Sequence, residues 1–181
     1  FLGRFGVDTT YFEPRMGASI ADLMRENTRV VFVESPGSLT FEVMDIPAIA
    51  KVAHDAGAVV IMDNSWSGGY FFQPYSHGVD VSIQAATKYI AGHSDLVVGA
   101  VCTSDDSLYR RIADHIKTFG DVAGPDDCYL ALRGLRTLGV RLDRQQQSAL
   151  QVAEWMASRA EVKRVLFPAL SLIHISEPTR P

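Results

Sequence analysis

Several short runs of consecutive apolar residues, rich in β-branched side chains, are spaced along the chain. Each run is bounded by residues typical of turns, as at Ser35-Pro36-Gly37-Ser38 after the first run. Runs of this length and composition predict strands of a sheet that is covered on both sides. The predicted strands are Arg29–Glu34, Ala58–Met62, Asp80–Gln84 and Leu96–Cys102.

Apolar residues recur at helical spacing between these runs. The clearest helix begins after Asp45, a suitable cap, has Pro47 in its first turn and ends at Gly57. The residues predicted on its buried side are Ile46, Ile49, Ala50 and Ala53. Further helices are predicted from Asp105 or Asp106 towards Lys117, over Asp127–Arg144 and over Ser148–Ser158, followed by a strand-like segment at Val162–Phe167.

This alternation of strands and helices predicts an α/β fold with a mostly parallel sheet covered by helices on both faces. In such sheets, ligands bind beyond the carboxyl ends of the strands. The rule directs attention to Glu34-Ser35, to Asp63-Asn64 and to the segment after Gln84.

Composition and charge narrow the class of protein. The 181 residues are 47% hydrophobic and 21% charged, which excludes a chain that is disordered by composition. With 17 Lys and Arg against 21 Asp and Glu, the net charge is −4, which argues against nucleic acid as the main partner. No apolar run approaches the length of a membrane span, about 20 residues. No histidine pair has the spacing of a metal site.

The two cysteines, Cys102 and Cys128, form neither a disulfide scaffold nor the spacing of a zinc site. A cytoplasmic protein is therefore expected. Cys102 lies in a predicted strand, and we expect it in the core.

The segment Asp127–Arg144 is predicted to carry leucines and arginines on opposite sides. The arginine side allows two interpretations. It is either a surface for phosphate or nucleic acid, or, as is more common, a solvated surface or one that pairs with a neighbouring subunit. The leucines are Leu132, Leu135, Leu138 and Leu142, and the arginines are Arg133, Arg136, Arg141 and Arg144.

The chain is expected to divide into parts with different roles. Residues 1–135 are assigned to a main domain, and residues 136–170 to a linking helix and the start of a second domain. Residues 171–181 (SLIHISEPTRP) continue no periodicity and resemble a translated sequencing adapter, so we expect a non-native tail; a disordered natural terminus is the alternative. Because the chain begins with Phe1, we expect it to be internal to a longer protein.

The strongest chemical signal lies within Asp80–Asp95. Lys88 follows a predicted strand, after two alanines and Thr87, and precedes the turn Gly92–Ser94. A lysine amine that attacks a carbonyl carbon must be neutral, which a partly desolvated site favours, and small neighbours let a ring approach the backbone. The alternative is a surface lysine at a strand end. His93 is expected to order the turn rather than to act as a base.

Asp63 ends another predicted strand, where an unpaired carboxylate would be costly. A pyridinium N–H is a suitable partner, because a carboxylate beside it keeps the ring nitrogen protonated and able to accept electrons. The alternative is that Asp63 caps the following turn. The nearby segment Trp66–Tyr70 is expected to be flexible and to form part of a pocket wall. Together, Lys88 and Asp63 match the ingredients of a pyridoxal 5′-phosphate site.

The segment Asp80–Asp95 resembles the cofactor-attachment signature of the Cys/Met-metabolism pyridoxal-phosphate enzymes, and it meets every required position. The similarity also includes Val33–Ser38, Met62–Trp66 and Arg133–Leu142, and it extends from Phe1 to about Leu170. The resemblance implies the large domain of a fold-type-I enzyme, truncated at both ends. The family's phosphate-binding glycine turn, stacking tyrosine and carboxylate-binding arginine are implied to lie outside this chain.

The resemblance also implies roles for individual residues. Lys88 matches the lysine that binds the cofactor covalently and later moves the Cα proton of the substrate. Asp63 matches the partner of the pyridine nitrogen, and Thr87 matches a hydroxyl that contacts the phosphate. Ala85 stands where many relatives have a second phosphate-binding serine. Ser38 stands where many relatives have asparagine. In having serine there, this chain is similar to the carbon–sulfur β-lyase branch of the family.

The activity implied by the resemblance is cleavage of L-cystathionine to homocysteine, pyruvate and ammonia, a step of methionine biosynthesis. The implied cofactor is pyridoxal 5′-phosphate, the implied ligand is a small amino-acid substrate, and the implied assembly is a homo-oligomer, a tetramer built of dimers. No nucleic-acid, membrane or metal partner is expected. The alternatives are a γ-synthase or γ-lyase of the same family, or a truncated chain without activity.

Overall fold

The computed structural model describes residues 1–170, which form a sheet with helices packed around it. Its strands are β1 (Val30–Glu34), β2 (Val59–Asp63), β3 (Val81–Gln84) and β4 (Ala100–Thr103). They lie in sequence order; β1, β2 and β3 are parallel, and β4 is antiparallel to β3. The predicted α/β fold with a mostly parallel sheet is confirmed. The predicted tail, residues 171–181, lies outside the described residues.

The α-helices of the described chain are α1 (Ile46–Asp55), α2 (Asp106–Phe119), α3 (Pro125–Leu135) and α4 (Leu138–Ala157). The predicted cap of α1 is confirmed, because Asp45 Oδ1 accepts a hydrogen bond of 3.1 Å from the N–H of Ala48. The cap of α2 is Asp105, whose carboxylate accepts a bond of 2.7 Å from the N–H of Leu108. Short 3₁₀ helices lie at Leu2–Phe5, Gly17–Leu23 and Pro74–His77.

The main core lies between α1 and one face of β1 and β2. All the residues predicted on the buried side of α1 are at most 3% exposed. They belong to one apolar cluster with Val33, Val60 and Met62, which alternate along the two strands because successive strand side chains point to opposite faces. Val30 and Phe32 point to the other face and are about half exposed within the described chain.

The prediction of one helix over Asp127–Arg144 is wrong, because the chain leaves helical geometry between α3 and α4. At this break the Thr137 hydroxyl donates a hydrogen bond of 3.1 Å to the carbonyl oxygen of Gly134. A side chain that satisfies a helix-terminal carbonyl competes with continuation of the helix. The separate helix predicted over Ser148–Ser158 is also wrong, because no stop signal precedes it and α4 continues through. The break lies beside the predicted domain border at residues 135–136, and the division into domains stays a prediction.

Three smaller predictions fail near the edges of the fold. Val162–Phe167 forms no strand within the described chain, because no neighbouring strand pairs with its backbone groups. β4 begins at Ala100 rather than at Leu96, since Val98 accepts a hydrogen bond from the N–H of Thr87, which lies outside the sheet. Cys102 is exposed rather than in the core, because β4 is the edge strand of the sheet.

Candidate active site

β2 and β3 end at the same edge of the sheet, because they are parallel and in register. Asp63 lies opposite Ile83, and the N–H of Asn64 donates a hydrogen bond of 2.9 Å to the Ile83 carbonyl oxygen. Lys88 lies in the turn that follows β3. The fold therefore brings the segments that carry Asp63 and Lys88 to the carboxyl edge of the sheet, where ligands of such sheets bind.

Asp63 is half-buried and uses one carboxylate oxygen locally. Its Oδ1 accepts a hydrogen bond of 3.0 Å from the N–H of Ser65, so the turn-capping alternative describes a real contact. Within residues 1–170, Oδ2 has no hydrogen-bond partner. The carboxylate is thus oriented by one bond and keeps an oxygen for a ligand donor.

Ser65 is a site residue that the sequence analysis missed. Its hydroxyl oxygen accepts a hydrogen bond of 2.7 Å from the N–H of Ala85, so it joins the segment after β2 to the segment after β3. Because the hydroxyl oxygen is the acceptor in this bond, the hydroxyl proton of Ser65 can still be donated to another group. The spacing Asp-x-Ser is an available signal for the bond to Asp63, but not for the bond to Ala85, which lies 20 residues away.

Lys88 lies on a hydrogen-bonded turn. Its N–H donates to the Ala85 carbonyl oxygen at 2.9 Å, and its own carbonyl oxygen accepts from the N–H of Gly92 at 2.8 Å. The side chain is exposed, and its amine makes no hydrogen bond or ion pair in the described part of the chain. The backbone of Lys88 is therefore held while its amine is available to react.

The Thr87 hydroxyl is occupied by the backbone of Val98. It donates a hydrogen bond of 3.1 Å to the Val98 carbonyl oxygen and accepts one of 2.9 Å from the Val98 N–H. In this conformation Thr87 ties the lysine turn to the chain before β4. The phosphate contact implied for Thr87 stays a prediction, and it requires the hydroxyl proton to turn away from Val98.

The segment after β2 makes its own hydrogen bonds, and the flexibility expected for Trp66–Tyr70 stays a prediction. The buried Asn64 accepts a hydrogen bond of 2.7 Å from the Ser67 hydroxyl and donates one of 3.2 Å to the Phe72 carbonyl oxygen. The contribution of the Trp66–Tyr70 segment to the wall of a cofactor pocket stays a prediction, because the cavity that it borders is lined by neither Asp63 nor Lys88. Trp66 and Ser67 line an apolar cavity of about 420 Å³ beside the ends of β1 and β2.

Ser38 lies in the loop between β1 and α1, which borders the same cavity through Ser35, Pro36 and Phe41. This loop is closed by two backbone hydrogen bonds, from Gly37 N–H to the Glu42 carbonyl oxygen at 2.8 Å and from Phe41 N–H to the Gly37 carbonyl oxygen at 2.9 Å. Phe41 has a φ of +60° and packs edge-on against the Trp66 ring, with 5.5 Å between ring centroids. The loop thus supplies an aromatic wall, and Ser38 itself is exposed.

His93 accords with its expected ordering role, because its Nδ1 lies 2.7 Å from the Ala91 carbonyl oxygen.

The arginines predicted to share one side around the α3–α4 break do not share one environment in the structure. Arg133, Arg136 and Arg144 are exposed, whereas Arg141 is half-buried and turns towards the lysine turn.

These residues fit pyridoxal 5′-phosphate. The free oxygen of Asp63 suits a ring N–H, and the unengaged amine of Lys88 suits an aldehyde carbon. The described chain contains no cluster of three or more side chains able to hold a metal ion. No helix within residues 1–170 is long and apolar enough to cross a membrane.

Comparison with known proteins agrees with this fit. Residues 1–175 match the family model described as Cys/Met metabolism PLP-dependent enzyme. A putative cystathionine beta-lyase of Rhizobium johnstonii is 50% identical over 169 residues, which cover 93% of this chain and 42% of that protein. The L-alanine/L-glutamate racemase of Wolbachia pipientis is 42% identical over 169 residues, which cover 93% of this chain and 41% of that protein.

The fold also matches a solved structure closely. The crystal structure of cystathionine gamma-lyase from Lactobacillus plantarum, complexed with L-serine, superposes with a TM-score of 0.90 at 28% identity. The superposition covers 93% of this chain and 44% of that one. The chain therefore spans less than half the length of the proteins it matches.

Proposed function

Because this chain belongs to the family of Cys/Met metabolism PLP-dependent enzymes, we propose that it is the cofactor-holding part of a lyase that cleaves the carbon–sulfur bond of L-cystathionine. The observation that carries the proposal is the position of Asp63 and Lys88 at the ends of two adjacent parallel strands. Pyridoxal 5′-phosphate is the cofactor that this family implies.

When bound, pyridoxal 5′-phosphate supplies an electron sink for negative charge that develops at the Cα of an amino acid. Lys88 would hold the cofactor through its Nζ, and the same nitrogen would accept the Cα proton of the substrate. Asp63 would keep the ring nitrogen protonated through its free oxygen, and Ser65 N–H orients the carboxylate.

The net reaction balances with one water molecule. Lys88 Nζ takes the Cα proton, the Cβ–S bond breaks, and the sulfur leaves as the thiol of homocysteine. The remaining three-carbon fragment takes up water and gives pyruvate and ammonia. The proton that Lys88 takes from Cα would pass to the departing sulfur, so Lys88 Nζ would be neutral again and no oxidant or reductant would be consumed.

The preference for β- over γ-cleavage is supported by two observations. The resemblance implies that position 38, where this chain has serine, distinguishes the β-lyase branch from relatives with asparagine. The relative with 50% identity is named a putative cystathionine beta-lyase. The proposal includes a homotetramer built of two dimers and a cytoplasmic location.

Borohydride trapping tests the cofactor role directly. The full chain is incubated with pyridoxal 5′-phosphate, reduced and digested, and the labelled peptide is mapped. We expect the label on Lys88, its loss in Lys88→Ala, and its retention in Lys117→Ala, a control at an exposed lysine of α2. A label on any other lysine contradicts the assignment.

Product analysis tests the reaction. With L-cystathionine, β-cleavage releases pyruvate, whereas γ-cleavage releases 2-oxobutyrate. Because one relative is named an L-alanine/L-glutamate racemase, conversion of L-alanine to D-alanine is measured in parallel. Pyruvate as the main product supports the proposal. The assay is made on a lyase that contains this chain, because the residues that bind the substrate carboxylate are implied to lie outside it. Dominant 2-oxobutyrate or dominant D-alanine contradicts the proposal.

A further inference from the structure

The turn that carries Lys88 is packed directly against the end of α3. Gly134 is buried there, and a Cβ at that position would lie 2.5 Å from the Ala91 carbonyl oxygen and would also collide with the Ile90 carbonyl oxygen. Only glycine lets the helix backbone approach so closely. The position of the lysine turn therefore depends on the α3–α4 break.

Arg141, in the first turn of α4, bridges this break and the lysine turn. Its Nη2 donates hydrogen bonds to the Gly134 carbonyl oxygen at 2.9 Å and to the Ile90 carbonyl oxygen at 3.2 Å. Its Nε donates to the Thr137 hydroxyl at 3.0 Å. A Cβ at Gly92 would lie 2.5 Å from Arg141 Nη1, so the guanidinium group also lies against the end of the turn.

The chemistry of these contacts suits arginine alone. The Gly134 carbonyl belongs to a helix C-terminus, where carbonyl oxygens carry partial negative charge, and besides the N–H and hydroxyl of Thr137 it accepts from the Arg141 guanidinium. A planar guanidinium presents several donors in a fixed arrangement, whereas an ammonium is a compact charge on a flexible chain. One arginine can therefore bond to two carbonyls and hold them at a fixed separation.

The turn transmits this position to Lys88. Gly92 N–H donates to the Lys88 carbonyl oxygen at 2.8 Å, and Ala91 N–H donates to the Ala86 carbonyl oxygen at 2.8 Å. A displacement of Ile90 or Gly92 must therefore move or break the bonds that hold the backbone of Lys88.

We propose that Arg141 is a positioning residue for Lys88: it fixes the Ile90–Gly92 turn against α3 and so determines where the lysine amine meets the cofactor. This inference rests on the proposed role of Lys88. Arg141 differs from the exposed Arg133, Arg136 and Arg144, because its Nη2 and Nε already donate hydrogen bonds within the chain.

The test compares Arg141→Gln with Arg144→Gln, a control at an exposed arginine one turn further along α4. A second pair avoids dependence on one variant. Gly92→Ala introduces a side chain at φ +78° that meets Arg141, whereas Gly120→Ala introduces one at φ +76° with nothing within 4 Å. Backbone strain is therefore alike in both, and only Gly92→Ala disturbs the contact. Thermal unfolding verifies that each variant folds.

The first measurement uses the full chain without cofactor. Amide hydrogen exchange at Ala91 and Gly92 reports local opening of the turn. We expect exchange about tenfold faster in Arg141→Gln, in line with the loss of a hydrogen bond to a charged group. Gly92→Ala is followed at Ala91 and is expected to show the same change. The two control variants are expected to exchange as the parent does.

The second measurement follows the bound cofactor. The rate of colour formation on adding pyridoxal 5′-phosphate is expected to fall about tenfold in Arg141→Gln, because misplacement of a reacting group lowers the rate steeply. The pH midpoint of the bound cofactor's absorbance is expected to shift in the same variant and not in Arg144→Gln.

The outcomes separate the two proposals. If the parent chain is not labelled at Lys88 by borohydride, the proposed function fails, whatever the exchange data show. If the parent is labelled but Arg141→Gln matches Arg144→Gln in exchange, rate and pH midpoint, the positioning role of Arg141 is overturned and the proposed function stands.

Discussion

The Ser65 hydroxyl accepts a hydrogen bond of 2.7 Å from the backbone N–H of Ala85, and this bond joins the two strand ends that carry Asp63 and Lys88. Both groups are at least partly buried. The bond thus closes the edge of the sheet at which we propose that the cofactor binds.

Replacement of Ser65 by alanine is expected to destabilise the fold and to weaken cofactor capture. The N–H of Ala85 would lose its partner in a partly buried place, which costs about 1–3 kcal/mol in the free energy of unfolding. Urea denaturation measures this loss. Ser76→Ala is the control, because it removes an exposed hydroxyl that bonds only within its own turn. Equal stability of the two variants would contradict the role given to Ser65.

Replacement of Asp63 by asparagine separates catalysis from stability. An asparagine oxygen can still accept from Ser65 N–H, so we expect little change in the free energy of unfolding. The charge that holds the ring proton is lost, and kcat is expected to fall about 10²- to 10³-fold, as for other lost electrostatic contacts. Steady-state kinetics on L-cystathionine, in a lyase that contains this chain, measure the effect, with Asp121→Asn, an exposed carboxylate, as the control. Full turnover in Asp63→Asn would refute the proposed pairing.

Gly78 is expected to be much less tolerant of substitution than Gly57. Both have positive φ, +84° and +73°, so alanine at either position costs about 1–2 kcal/mol in backbone strain. At Gly78 the new Cβ would also lie 2.7 Å from the Ala50 Cβ of α1, whereas nothing lies within 4 Å at Gly57. Crowding of this kind adds about 1–3 kcal/mol. Thermal or urea unfolding of Gly78→Ala and Gly57→Ala gives the difference directly, and equal losses would show that the α1 contact is not tight.

The contact between Tyr70 and Asp143 predicts a dependence on alkaline pH. The Tyr70 hydroxyl donates a hydrogen bond of 3.1 Å to the Asp143 carboxylate, and this bond, together with the negative charge of Asp143, raises the pKa of Tyr70 above its usual value of 10.0. The neutral phenol is favoured in the fold. Its contribution to stability is therefore complete below about pH 10 and is lost as the pH rises through the raised pKa.

NMR titration of labelled tyrosine rings checks this assignment. Asp143→Asn is expected to return the pKa of Tyr70 towards its usual value. Tyr75 is an internal control, because its pKa is raised mainly by burial and should not respond to Asp143. A Tyr70 titration that is unchanged by Asp143→Asn would contradict the contact.

Features within one turn or one strand were predictable from the sequence. The cap at Asp45 and the buried side of α1 follow from residues at most a few positions apart, and both predictions are confirmed. The segment around Lys88 could be identified because its chemistry is concentrated in consecutive residues. The single long helix over Asp127–Arg144 was wrong, because periodicity cannot show that Gly134 packs against another backbone and that Thr137 bonds to its carbonyl.

The sequence by itself determined the kinds of elements, their order and the residues that carry reactive groups, because strand periodicity, capping and helical spacing depend on near neighbours in the chain. Only the tertiary structure decided how those groups are supported. Ser65 reaches Ala85 across 20 residues, and Arg141 reaches Ile90 across 51. Such contacts depend on the register of parallel strands and on where one helix ends, and these are settled when the whole chain packs.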